Sequence, residues 1–334
     1  MKREPHPFAR FINILGRGKT LTRSLTIEEA EEAMTMILAG ETLPEQLGAF
    51  LMLLRVKEES PAEIAGFVRG ARASIPTSAH SPQVDLDWSS YAGKRRQLPW
   101  FVLSALLLAR SGWRLFMHGA EAHIEGRIYT GAALRALGLP VSENLDEAAD
   151  HLARLNFAYL PIDGLSARIA DMLELRPILG LRSPVHTFVR MLNPFSAPCM
   201  LQGVFHPSYM TIHRDAGALL GQPRLAVFRG EGGEIERRPN KPSEVLGVID
   251  GELIEERWRP TIPDPRQAPD ESMDLDRLGA LWRGEITDEY GEAAVVGTVA
   301  IALRMLDATD IADAEARALM LWRERDRNRL AAAA

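Results

Sequence analysis

Over roughly the first 75 residues, apolar positions recur at the helical period. Phe8, Phe11, Ile12 and Leu15 share one face before Gly16-Arg17-Gly18-Lys19 interrupts the pattern. Thr26 and Glu29 have the spacing of a capping box, in which each side chain satisfies the other residue's free backbone N–H. Ala30, Met34, Ile37 and Leu38 then line one helix face, and Gly40 ends it. Pro44 suits a first helical turn, and Leu47, Phe50, Leu51 and Leu54 repeat the stripe. Ser60, Pro61 and Glu63 form a second capping box with proline at the first helical position.

After Pro76, Ser78, Ser81 and Pro82, which read as a linker, the pattern changes. Residues 114–117, 157–161, 201–204 and 225–228 are short apolar runs with the length of strands. The segments 100–109 and 290–306 read as helices between and after them. Strands spaced by helices imply crossover connections and a mainly parallel sheet. The four prolines of 260–269 predict an irregular loop, and 321–334 an arginine-rich helix or frayed tail. The expected fold is therefore α/β: a small all-α domain over residues 1–77, then a larger α/β domain over 78–334 with a central, mainly parallel sheet.

Composition narrows the class. A hydrophobic fraction of 46% beside 25% charged residues is that of an ordinary globular chain. The single cysteine, Cys199, excludes an intramolecular disulfide and reads as a small buried apolar residue. No apolar run approaches the ~20 residues of a membrane span, and no secretory apolar core follows the basic N-terminus. The expected location is cytoplasmic, away from membranes. Net charge is −6, but its distribution is uneven. Residues 88–135 carry seven cations against two acids, and 164–230 seven arginines against three acids. Residues 231–292 carry 17 acids against eight cations. Such asymmetry can give an acidic protein a basic face, or the charges can be dispersed over the surface.

Several segments carry a resemblance. Residues 25–30, Gly40, 46–51 with Arg55, and 60–66 resemble the N-terminal domain of anthranilate phosphoribosyltransferases and their nucleoside-phosphorylase relatives. Where those enzymes have a Gly-Thr-Gly-Gly-Asp-Gly phosphate loop, this chain reads Ser89-Ser90-Tyr91-Ala92-Gly93-Lys94-Arg95-Arg96-Gln97. Glycines let several backbone N–H groups converge on a phosphate, whereas three long cations supply charge without that geometry. Met117-His118-Gly119-Ala120 stands where the family has Lys-His-Gly-Asn, so the histidine and glycine survive but the lysine and asparagine do not. The family's metal-holding Asp-Glu pair falls on Ile235 and Glu236, leaving Glu234 and Glu236 as weak metal candidates. Arg176, Arg182 and Arg190 lie in and just after the segment that holds an acceptor carboxylate in the enzymes.

The pattern of changes, together with Ile14-Leu15-Gly16-Arg17-Gly18-Lys19, His206-Pro207-Ser208-Tyr209 and Gly230-Glu231-Gly232-Gly233-Glu234, resembles the YbiB family. That resemblance implies the phosphoribosyltransferase fold, with a segment near 164–184 joining the helical domain. It also implies a homodimer through the N-terminal helices that binds single- and double-stranded DNA and RNA without sequence preference and lacks the anthranilate activity. Lys94, Arg95, Arg96, Arg17, Lys19, Tyr91, His118, Arg176, Arg182 and Arg190 are then the expected phosphate contacts, with no cofactor. Sequence-independent binding needs a cationic track with aromatic faces, and Trp88, Tyr91 and Trp100 flank the Lys-Arg-Arg run. Trp100, which begins an apolar helix, reads better as a core residue. The alternative is a phosphoribosyltransferase with an unidentified acceptor. There Lys94 touches phosphate, Arg176 or Arg182 holds an acidic acceptor, and Glu236 with a neighbour holds Mg²⁺.

Overall fold

The structure, a computed structural model, describes residues 4–18, 20–80, 82–121, 125–263, 269–270 and 272–330. Four helices open the chain: α1 (Ala9–Gly16), α2 (Ile27–Leu38), α3 (Pro44–Lys57) and α4 (Pro61–Ser74). Both capping boxes form: Thr26 and Ser60 accept from the Glu29 and Glu63 amides, and each glutamate accepts in return. Glu63 is fully buried because it does more than cap. It also accepts from the Leu25 amide at 2.9 Å and from Lys57 Nζ at 2.8 Å. Helices α2 and α4 touch backbone to backbone, since a Cβ on Gly66 would lie 2.3 Å from the Ile27 carbonyl oxygen.

The second layer follows as β1 (Leu86–Ser90), α5 (Phe101–Arg110), β2 (Leu115–Gly119), α6 (Thr130–Ala136), α7 (Leu145–Leu155) and β3 (Phe157–Pro161). Short helices α8 (Ile162–Leu165), α9 (Ala167–Leu173), α10 (Arg176–Leu179) and α11 (Val185–Phe188) then return to the helical bundle. There the Arg168 guanidinium donates to the carbonyl of Ile37 at 3.0 Å. The chain continues through β4 (Cys199–Val204), α12 (Ser208–Leu219), β5 (Arg224–Arg229), β6 (Ser243–Ile249) and β7 (Glu252–Trp258). It ends in α13 (Asp276–Arg283), α14 (Glu289–Leu306) and α15 (Ile311–Glu324).

The sheet order is β3-β2-β1-β4-β5-β6-β7, parallel through β5 and antiparallel beyond it. Alternate side chains leave each strand on opposite faces, which divides the core in two. Phe116, Ala158, Leu160, Met200 and Val227 join the face that packs toward the helical bundle. Met117, Tyr159, Leu201, Ala226 and Phe228 join α5 and α14 on the other. Cys199 is buried on that second face, where desolvation pushes its thiol well above the ordinary range.

Two parts of the sheet differ from the sequence reading. The segment Leu86–Ser90, which is not among the apolar runs read as strands, is β1, the central strand, buried throughout. Two of its polar side chains find partners inside: Ser90 Oγ lies 2.8 Å from Thr130 Oγ1, and Asp87 Oδ2 lies 3.4 Å from His118 Nε2, whereas Ser89 Oγ is buried without a partner. The hairpin β6–β7 likewise lies outside the apolar runs that read as strands, although Asp250-Gly251 is a recognisable turn signal. Both residues have positive φ (51° and 90°), as a two-residue hairpin turn with strand-like twist requires. Among the described residues, no helix is long and apolar enough to cross a membrane.

Candidate anion-binding cleft

Strand order reverses on either side of β1, which has β2 on one flank and β4 on the other. In open α/β sheets the space beyond such a switch point is where ligands bind, because the following connections diverge to opposite faces. Here β1 delivers Tyr91-Ala92-Gly93-Lys94 to that point, and β4 delivers Phe205 and His206.

The loop after β1 is held by carboxylates rather than open to solvent. Glu234 Oε1 accepts from the amides of Ala92 and Gly93, each at 2.6 Å. Lys94 is 1% exposed and its ammonium lies 2.5 Å from Glu236 Oε1. The second oxygen of Glu236 accepts from the Phe101 amide at 2.9 Å, at the start of α5. On the outside, the backbone of Lys94 pairs with Ile128, and Arg127 donates to the carbonyls of Ala92 (2.7 Å) and Gly93 (3.2 Å). Desolvation pushes Glu236 up to about 7 against the opposing pull of Lys94. The turn that presents both glutamates depends on close backbone approach. A Cβ on Gly230 would lie 1.6 Å from the Glu234 carbonyl oxygen, so no side chain fits there.

Three expectations change accordingly. Lys94 is not an exposed cation but half of a buried ion pair. His118 is fully buried, 2.7 Å from the Tyr91 hydroxyl through Nδ1, and belongs to the core under the loop. Tyr91 is 4% exposed and Trp88 fully buried, so neither offers a stacking face, while Trp100 is a buried core residue as its place at the start of an apolar helix predicts. Arg17, on the helical domain, bonds to Asn13 and lines neither part of the cleft. Lys19 lies outside the described residues.

What remains is a basic cleft in two joined parts that share Phe205. The first lies between the helical bundle and the sheet, lined by Arg55, Arg182, Arg190, His206 and Tyr209 among others. The second, a cavity of about 350 Å³, is lined by Arg95, Arg96, Arg127, Arg229, Arg238 and Lys241, with Glu231 as its unpaired acid. None of these six cations forms an ion pair among the described residues. Positive charge accumulates enough to be felt: burial first, then Arg176, Arg190 and Arg127, lowers the pKa of Arg182. Arg238 is lowered by burial and then by Arg229. Phe205 is 50% exposed between the two parts, with the Arg229 guanidinium 6.0 Å over its ring. The excess of unpaired cations in a concave site favours an anion with several oxygens, phosphate above all.

The residues do not fit a divalent metal. Lys94 already neutralises Glu236, both of whose oxygens are engaged, and Glu234 points one oxygen into the loop amides. Among the described residues, no three His, Cys, Asp or Glu side chains converge to hold one.

Arg95, Arg96, Arg182 and Arg190 were named from the sequence, and the fold gathers them here. Arg55, Arg229, Arg238, Lys241 and Phe205 were missed as site residues. Their signal was faint: Arg229 precedes the Gly-rich turn and Arg238 follows Glu236, but nothing local shows that β5 and the 237–241 segment face the β1 loop.

Comparison with known proteins agrees with this geometry. Residues 9–75 match the model of the glycosyl transferase family helical bundle domain. The anthranilate phosphoribosyltransferase of Moorella thermoacetica is 31% identical over 233 residues, covering 69% of this chain and 68% of that one. YbiB of Escherichia coli K12 is 26% identical over 254 residues, 73% of this chain and 77% of its own. The crystal structure of the anthranilate phosphoribosyltransferase from Thermus thermophilus superposes with a TM-score of 0.78 at 22% identity, covering 95% of this chain and 94% of that one. A shared fold over nearly the whole length and 31% identity over two thirds of a relative place this chain in the anthranilate phosphoribosyltransferase-like family that includes YbiB.

Proposed function

We propose that the protein binds a phosphorylated ribosyl ligand in the phosphoribosyltransferase cleft, and that any reaction it carries out there is pentosyl transfer. The observation behind this is the set of unpaired cations at the switch point of the sheet. Arg95, Arg96, Arg238 and Lys241 hold the phosphates, while Arg182 and Arg190 hold the acidic group of an acceptor. The curated relatives support this reading over the nucleic-acid one, since they are named for phosphoribosyl transfer or, for YbiB, left uncharacterized. The test is calorimetry with phosphoribosyl pyrophosphate, followed by an assay for pyrophosphate release with aromatic acids as acceptors. Binding below millimolar ligand is expected, weakened at least about tenfold in Arg96→Glu/Arg238→Glu, the scale of lost charge-assisted contacts. No heat at millimolar ligand overturns it.

One observation favours a second reading, the binding of a nucleic-acid strand. Arg229 and Arg238 also line a third depression with Arg257, so the cationic surface continues beyond the cavity, with Phe205 available for stacking. A labelled single-stranded oligonucleotide then binds with an affinity that falls steeply with salt, and Arg95→Glu/Arg96→Glu flattens that slope. Lys94 is left unchanged in that variant because its partner is inside the protein. Salt-independent anisotropy, or none at low salt, removes this reading.

The helical face supports a homodimer. Ile178 and Val56 are each 80% exposed and Leu181 51%, an unusual set of bare apolar side chains on the bundle. Ile178→Glu is expected to shift the mass in light scattering from dimer to monomer while leaving the melting profile cooperative. An unchanged mass places the interface elsewhere.

A further inference from the structure

The family resemblance brings a divalent cation and a diphosphate to the loop after β1. The residues there make that arrangement internally. Two successive amides, those of Ala92 and Gly93, converge on one oxygen, which is the geometry that receives a phosphate oxygen elsewhere. In this chain the oxygen belongs to Glu234. The start of α5, a ten-residue helix whose first amides are another anion site, is taken by Glu236. The cation that a diphosphate would need beside it is present as the Lys94 ammonium.

We propose that Glu234 and Lys94 occupy the places of the ligand's anion and of the divalent cation, so that this cleft takes its phosphorylated ligand without a metal and through side chains alone. This rests on the phosphate-ligand reading above. Two further details point the same way. The other carboxylate oxygen of Glu234 is buried with no hydrogen-bond partner, and so is Nη1 of Arg190. Buried groups of this kind normally find partners, because leaving one unmade is unfavourable. Both are accounted for if the pocket has the shape of an anion site filled by a side chain that matches it incompletely. Phosphate is thereby displaced outward, toward Arg95, Arg96 and Arg238, where no backbone amide is needed.

The experiment titrates inorganic pyrophosphate calorimetrically into the full chain, in EDTA and again in excess Mg²⁺, for the wild type, Glu234→Ala and Glu234→Gln. The wild type is expected to bind with affinity no higher in Mg²⁺ than in EDTA. Glu234→Ala is expected to bind roughly tenfold tighter than wild type, having lost a repelling charge and regained two N–H donors. Glu234→Gln, whose amide oxygen still accepts from the loop, is expected to gain less. A tenfold gain from Mg²⁺ in the wild type overturns the proposal, as does wild-type affinity in a folded Glu234→Ala. If Glu234→Ala fails to fold, Glu234→Gln decides, and affinity equal to wild type counts against the proposal. Heat from the wild type with no change in either variant removes this inference alone. No heat from any form removes the phosphate-ligand reading with it.

Discussion

Lys94→Met is expected to lower the stability of the folded chain by about 3–5 kcal/mol near pH 8, the usual consequence of stranding one member of a buried ion pair. Both partners are essentially excluded from water, at 1% and 0% side-chain exposure. Glu236 is already pushed up to about 7 by burial while Lys94 opposes the shift. Without the ammonium its affinity for a proton rises further, and near neutral pH and above the carboxylate is ionised only at a cost. The loss should therefore shrink toward about pH 5, where Glu236 takes a proton instead. Lys94→Met/Glu236→Gln should recover most of the stability, because glutamine still accepts from the Phe101 amide and no charge is stranded. Urea denaturation of the three forms at both pH values measures this. A single variant within 1 kcal/mol of wild type, on the order of a surface substitution, would mean that the pair does not hold the loop.

The second large effect concerns acid. His213 on α12 is 2% exposed, donates from Nδ1 to Gln202, and has its pKa lowered to about 3, by burial first and Arg190 second. In the unfolded chain it titrates near 6.5. The folded state therefore binds fewer protons than the unfolded state between these values. Stability contributed by the neutral imidazole is fully present above pH 6.5 and is lost as pH falls toward 3. The slope approaches about 1.4 kcal/mol per pH unit, or about 1.5 kcal/mol between pH 6.5 and 5. The groups facing His213 include Arg190 and, across the first part of the cleft, Arg55, Glu59 and His186, so His213→Gln isolates its share. The variant should lose less stability than wild type over that interval. Parallel pH profiles of the urea midpoint would show that His213 is not the titrating group.

The two effects bear on the site because both groups lie beneath it. The Lys94–Glu236 pair fixes the loop that closes the floor of the arginine cavity. His213 backs the first part of the cleft, on the strand partner Gln202. A cleft with many unpaired cations is self-repelling, so its rigidity has to come from neighbours that are neutral or internally paired. Here those neighbours are the capped helix α5, the Glu234-filled amides and the neutral His213. Ligand binding should accordingly raise stability by mass action, most where wild-type charge repulsion is greatest.

The features legible along the chain were local or repetitive. The capping boxes at Thr26 and Ser60, the apolar runs of β3 and β5, and the long helix α14 follow from propensity, periodicity and neighbouring residues, and they appear where the pattern put them. The family resemblance rested on such short strings as well. Folding was needed to settle the pairing and accessibility of each charge. Lys94, Arg95 and Arg96 are adjacent in the chain, but Lys94 turns inward to Glu236, 142 residues away, while its two neighbours face the cavity. β1 does not stand out as an apolar run because Asp87, Ser89 and Ser90 are polar, and only its position between β2 and β4 buries them. Arg229 and Arg238 reach the β1 loop by way of sheet order rather than sequence distance. Helices and strands are set by interactions within a few residues. Whether a charge is paired depends on groups that only folding brings together, and the energy of a buried ion pair or an unpaired arginine appears only then.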